Sequence, residues 1–185
     1  YDFASIKKEI DKFKNVKVLV IGETIIDQYF FCEAMGKSGK EPVLVLRDIN
    51  MEQYPGGSAA IARHLSSFCK SVTLLSMIGE KGEFEGYLRK NLPKNIKYDF
   101  IYKKGSPTIL KKRFVEQVNK RKVLGVYNLN DDLLDKKNEA EFAKKLDKHL
   151  NNYDLIVLTD YGHGLISEKS ARKICNSKIF LSVSA

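Results

Sequence analysis

The sequence predicts an α/β protein: a doubly wound, mostly parallel sheet carrying a small β lid. Three observations lead there. Short, apolar, β-branched runs at residues 16–21, 72–78 and 154–159 have the character of strands buried on both faces, as in a parallel sheet. Apolar residues at helical spacing fill several of the intervals between them. Two stretches, 29–54 and 107–127, break this alternation and read as strands of a separate small sheet. A chain of 185 residues with 43% hydrophobic content can build one domain with a real core.

Taken in order, Phe3, Ile6, Ile10 and Phe13 recur at helical spacing and predict a first amphipathic helix over 2–13. The strand over 16–21 follows and is expected to end at Gly22-Glu23, at the carboxyl edge where ligands of open α/β sheets bind. Asp27 comes four residues later. Its carboxylate suits polyol hydroxyls, and equally suits a solvated turn or a helix cap. The 29–54 stretch supplies lid strands around a turn at Gly36-Lys37-Ser38-Gly39-Lys40. That turn lacks the spacing of a nucleotide-binding P-loop and reads as a solvated hairpin turn.

Gly56-Gly57-Ser58 opens a helical pattern with Ile61, His64, Leu65 and Phe68 on one face. Paired glycines allow close backbone approach to a ligand, or simply make a tight turn and cap. A strand over 72–78 is followed by a helix marked by Phe84, Tyr87, Leu88 and Leu92, stopped by Pro93. A short strand over 98–102 comes next. The segments 107–115 and 122–127 flank a basic turn and signal a hairpin. Alternation puts Lys111 and Arg113 on one face. They suit a phosphate, or an exposed basic edge that resists aggregation. A charged amphipathic helix over 131–152 and a strand over 154–159 lead to Asp160-Tyr161-Gly162-His163-Gly164. Ser167 then caps a short helix to Cys175, and 178–183 begins one more strand.

As a series, these motifs resemble the PfkB (ribokinase-like) carbohydrate kinases. The similarity is greatest to the heptose-phosphate kinase domain of ADP-heptose synthesis. The matching segments are Gly22-Glu23-Thr24-Ile25-Ile26-Asp27-Gln28-Tyr29, Glu41-Pro42-Val43, Pro55-Gly56-Gly57-Ser58-Ala59-Ala60 and Asp160-Tyr161-Gly162-His163-Gly164. The resemblance implies a ribokinase-like fold and a transfer of the ATP γ-phosphate, with Mg2+, to a hydroxyl of a sugar phosphate. It implies substrate contacts at Glu23, Asp27, Gly56, Gly57, Lys111 and Arg113, with Asp160 and His163 near the transfer site. It also implies that residues 1–185 are the N-terminal, sugar-binding part of one kinase domain, with lid strands about 28–54 and 108–127. The family's Gly-Ala-Gly-Asp motif, which holds the general base, is absent here. The nucleotide-binding half is therefore expected beyond Ala185, and this segment alone is expected to be inactive.

The sequence also departs from the family pattern. Glu23 stands where Asp is usual, Ala60 where Asn is usual, and Gly125 and Tyr127 where Arg and Asp are usual. His163 replaces a Lys and removes a fixed positive charge, although a lone His is more often a packed or solvent residue than a catalyst. These changes keep a second reading open: a kinase-like protein that has lost catalysis and only binds sugar phosphate or dimerises.

Composition bounds the partners. The net charge of +9 is spread over many segments and interleaved with 23 acidic residues, which favours a solvated Lys-rich surface over a nucleic-acid partner. Three scattered cysteines without Cys-x-x-Cys argue against a disulfide framework or a metal site and for a reducing cytoplasm. No stretch approaches the ~20 apolar residues of a membrane span. No signal-peptide pattern opens the chain, and Tyr1 in place of Met suggests a start further upstream. Apolar residues on the small sheet predict a homodimer through the lid.

Overall fold

The computed structural model describes residues 2–184; expectations resting on Tyr1 or Ala185 fall outside the described residues. The fold is organised by one strand, β1, Lys17–Lys37. Its first part lies in the middle of a parallel sheet. There it pairs with β3 (Ser71–Gly79) on one side and β7 (Leu155–Thr159) on the other. β4 (Ile96–Lys103) extends the sheet beyond β3, and β8 (Phe180–Ser184) extends it beyond β7, all in parallel. The order is β4-β3-β1-β7-β8. The chain starts at the centre, builds one side, then crosses back and builds the other, as a doubly wound sheet does.

Strand alternation divides the core into two layers. Val18, Val20, Leu74 and Phe100 pack against α2 (Ser58–Leu65) and α3 (Glu85–Asn91). Leu19, Ile21, Leu75 and Ile156 pack on the opposite side against Phe142 and Leu146 of α4 (Lys136–His149) and Ile174 of α5 (Glu168–Cys175). Asp135 caps α4, and Ser167 caps α5 through a full capping box with Ser170.

β1 does not end at Glu23, as its sequence suggests. At Thr24 it leaves the parallel sheet and gains new partners, so its backbone groups stay paired and the strand continues. β2 (Leu44–Gly57) pairs antiparallel to it, and β5 (Ile109–Glu116) pairs parallel to it. β6 (Lys122–Asn128) closes this small sheet antiparallel to β5. The crossing is possible because Gly22 lies against β7: a Cβ there would overlap the Thr159 carbonyl and hydroxyl.

Two helices differ from expectation. α1 (Phe3–Lys12) forms where predicted, capped by Asp2, but buries none of its residues, and Phe3 is 81% exposed. In α2 the side chains turned fully inward are Ser58, Ala59 and Ala62, whereas Ile61 and Leu65 are only half-buried. His64 is exposed, and Phe68 lies beyond the helix end and is also exposed.

Candidate functional site

The face of the small sheet that carries Asp27 is built in rows. Cross-strand register sets Tyr54, Asp27, Lys111 and Tyr127 side by side across β2, β1, β5 and β6. The next row is Glu52, Tyr29, Arg113 and Gly125. Residues two apart along a strand share a face, so both rows point the same way. The predicted common face of Lys111 and Arg113 is therefore observed, and Asp27 lies beside them.

Arg113 forms an ion pair with Asp27 Oδ1, and both side chains are mostly buried. Burial works against the guanidinium charge, but hydrogen bonding and attraction to Asp27 outweigh it and raise the Arg113 pKa. The Tyr29 and Tyr127 rings lie 5.5 and 5.8 Å from the guanidinium. Lys111 makes no ion pair among the described residues; its ammonium stands 5.6 Å from the Tyr127 ring centre. Asp27 Oδ2 receives no hydrogen bond from the described residues. Gly56 lies against that oxygen, where any Cβ would overlap it. Gly57, at φ +57°, packs on the Glu23 carbonyl in the same way. Both glycines thus serve the close approach of β2 to β1, and no side chain caps α2.

Glu23 requires a correction. Its side chain is completely buried, and its carboxylate accepts the backbone N–H groups of Tyr161 at 3.0 Å, His163 at 3.3 Å and Leu165 at 3.4 Å. No surface is left for a substrate hydroxyl; Glu23 instead shapes the loop after β7. Asp160 takes the Gly162 N–H in a local turn. His163 is buried, with Nδ1 2.7 Å from Asp131 Oδ1 and Nε2 without a partner among the described residues. The structure brings Asp27, Gly56, Gly57, Lys111 and Arg113 together, and turns the His163 side chain toward Asp131.

Sequence reading missed Tyr127 and Tyr54 as parts of this face, and Tyr161 in the loop after β7. Tyr161 is near enough that, after burial, the charges of Glu23 and Asp27 push its phenol pKa up. It also missed Lys103, whose buried ammonium donates to the Asn130 and His163 carbonyls at 2.6 and 3.0 Å. Burial pulls the Lys103 pKa down. Nothing local in the sequence marks Lys103, and the tyrosines join the face only through the register between strands. Two surface hollows lie beside Asp99, one of them also lined by His149, and neither is lined by Asp27, Lys111 or Arg113.

The sequence profile described as pfkB family carbohydrate kinase matches residues 15–177. This chain belongs to the pfkB family. Among curated relatives, the bifunctional protein HldE of Pasteurella multocida (strain Pm70) is 32% identical over 160 residues, covering 85% of this chain and 32% of the relative. The bifunctional protein HldE of Campylobacter jejuni (strain ATCC 700819 / NCTC 11168) is 26% identical over 169 residues, covering 90% and 34%. The pfkB member described here thus spans about a third of the length of these relatives. Among solved structures, a possible 1-phosphofructokinase of Thermotoga maritima aligns with a TM-score of 0.66 at 18% identity, covering 90% of this chain and 53% of that one. Arabidopsis thaliana ribokinase, complexed with ribose and ATP, aligns at 0.58 and 11% identity, covering 91% and 53%. These two likenesses establish the ribokinase-like fold of this pfkB protein.

Proposed function

We propose that this chain is the sugar-binding part of a carbohydrate kinase that transfers the ATP γ-phosphate to a hydroxyl of a heptose-like sugar phosphate. The observation that carries the reading is the row Tyr54–Asp27–Lys111–Tyr127, where β1 crosses from the main sheet into the small one. It combines a carboxylate oxygen without a hydrogen bond and a cation without an ion pair among the described residues, and aromatic surface, a combination suited to carbohydrate recognition. The heptose-like substrate rests on the motif resemblance and on the HldE relatives. A cytoplasmic location is part of this reading; no helix among the described residues is long and apolar enough to cross a membrane.

Family membership implies ATP and Mg2+. Among the described residues no three His, Cys, Asp or Glu side chains converge as a metal site, and Asp160 is held in its own turn. The reading assigns neither a MgATP ligand nor a general base among them. Titration calorimetry of the intact protein with sugar phosphates tests the proposal. Binding should be present in wild type and weakened at least about tenfold in Asp27→Ala, the scale of a lost hydrogen bond to a charged group. Unchanged affinity would remove Asp27 from the site.

A second reading, a protein that binds without catalysis, is favoured by one observation. His163, which stands in place of a family Lys, is buried against Asp131 rather than turned to the open face. ADP release by the intact protein in the presence of sugar phosphate separates the two: turnover supports the kinase, and binding without turnover supports the second reading.

The small sheet is also proposed as a homodimer interface. Its reverse face carries the apolar row Met51, Phe30, Phe114 and Leu124, with Phe30 and Phe114 stacked at 5.0 Å. Met51 and Leu124 are about half exposed, at 46% and 53%.

A further inference from the structure

The two cations of the Asp27 face are not equivalent. Arg113 is bound to Asp27 and lies between the Tyr29 and Tyr127 rings. Its hydrogen-bonding capacity toward the carboxylate is already in use, and its charge is compensated. Lys111, in the row with Asp27, has no anionic partner among the described residues. Tyr127 stands opposite Lys111, and its ring leans back along β6 across Gly125. A Cβ at Gly125 would come within 3.2 Å of the Tyr127 hydroxyl and 3.3 Å of its ring carbons. That is tighter than ordinary van der Waals contact, so with a side chain at 125 the Tyr127 ring would have to shift by a few tenths of an ångström. Tyr127 is 53% exposed, so a large part of its side chain stands open to solvent beside Lys111 and Arg113.

We infer that Tyr127, seated across Gly125, is a specificity-determining residue whose open ring face takes the apolar face of the sugar ring. Lys111 beside it contacts the substrate phosphate, and Arg113 is a positioning residue that holds Asp27. The inference rests on the sugar-binding reading above and deepens it. The chemistry follows from the row itself. A pyranose or furanose has one face of C–H groups and a rim of hydroxyls. Laid on Tyr127, it turns its rim toward Asp27 Oδ2. A phosphate on the same molecule finds its unpaired charge at Lys111. Gly125 and Tyr127 are close neighbours on this face, since a Cβ at 125 would press on the Tyr127 hydroxyl and ring.

The experiment measures affinity of the intact protein for a sugar and for its monophosphate, using sedoheptulose and sedoheptulose 7-phosphate as probes. The variants are Lys111→Met, Arg113→Gln, Tyr127→Ala and Tyr127→Phe, each checked for an unchanged thermal midpoint. Lys111→Met should reduce the preference for the phosphorylated probe about tenfold or more, as loss of a charge-assisted contact does. Arg113→Gln should weaken both probes and leave that preference unchanged. Tyr127→Ala should weaken both about fivefold, and Tyr127→Phe should match wild type. If Arg113→Gln destabilises the fold, Arg113→Lys replaces it, with the same expectation for the ratio. Collapse of the preference in the Arg113 variant, or retention in Lys111→Met, overturns the assignment of the cations. Unchanged binding in Tyr127→Ala overturns the stacking role. If Asp27→Ala still abolishes binding in either case, the sugar-binding reading survives. Failure of wild type to bind either probe, or any of a panel of hexose and pentose phosphates, overturns both.

Discussion

Glu23 shows how one buried carboxylate can organise a loop remote in sequence. Three backbone N–H groups of the loop after β7 converge on its carboxylate, which replaces the hydrogen bonds this loop would otherwise make with water. Glu23→Gln places an amide where an acceptor is needed. The expected cost is about 1–3 kcal/mol, read as a fall in the thermal midpoint of roughly 2–4 °C per kcal/mol for a chain of this size. An unaltered midpoint would show that the amides find water instead. The sequence made Glu23 conspicuous by its place after the apolar strand. Its role was not legible, because the partners come from residues 161–165, remote in sequence. Asp27, Lys111 and Arg113 were legible as side chains of the right chemistry. Their pairing was not, because register between β1 and β5 is set by long-range packing and not by either segment alone.

At the scale of elements, strands were the most readable feature and their limits the least. The apolar runs over 72–78 and 154–159 became β3 and β7 almost as bounded. β1 overran its predicted end because backbone pairing, not side-chain pattern, decides where a strand stops. α4 is fastened to the edge strand β4 by a polar cluster: Asp99 receives Lys145 at 2.7 Å and stands 2.8 Å from His149 Nε2. Burial would raise the Asp99 pKa, but the hydrogen bonds from Lys145 and His149 outweigh it and lower it. A carboxylate with a depressed folded pKa adds stability above its unfolded pKa, and that stability is lost as pH falls through the folded value. Asp99→Asn should therefore lower the thermal midpoint near pH 7, and the gap to wild type should close in acid, below about pH 4. A gap of equal size at both pH values would mean that shape, not charge, holds α4 to β4.

For the whole molecule, the two faces of the small sheet differ: one carries the Asp27 and Arg113 rows, and the other carries the apolar row Met51, Phe30, Phe114 and Leu124 beside the more polar row Gln53, Gln28, Lys112 and Val126. Phe114→Asp puts a charge into the apolar row and should convert a dimer to monomer in light scattering; a monomeric wild type, or a mutant that remains dimeric, would count against that face as the interface. The doubly wound sheet was legible from alternation alone. The division of the small sheet between its faces was not, since it emerges only once β2, β1, β5 and β6 are in register. The sharing of β1 between two sheets also has a consequence for the nascent chain. Along its small-sheet half, β1 can pair with β2 as soon as residue 57 has emerged from the ribosome. Its other neighbour in the main sheet is much later: Lys17 and Asp154, which are hydrogen-bonded, stand 137 residues apart. At bacterial or eukaryotic elongation rates that interval lasts on the order of ten seconds, during which the central strand of the protein is an open edge that another chain could occupy.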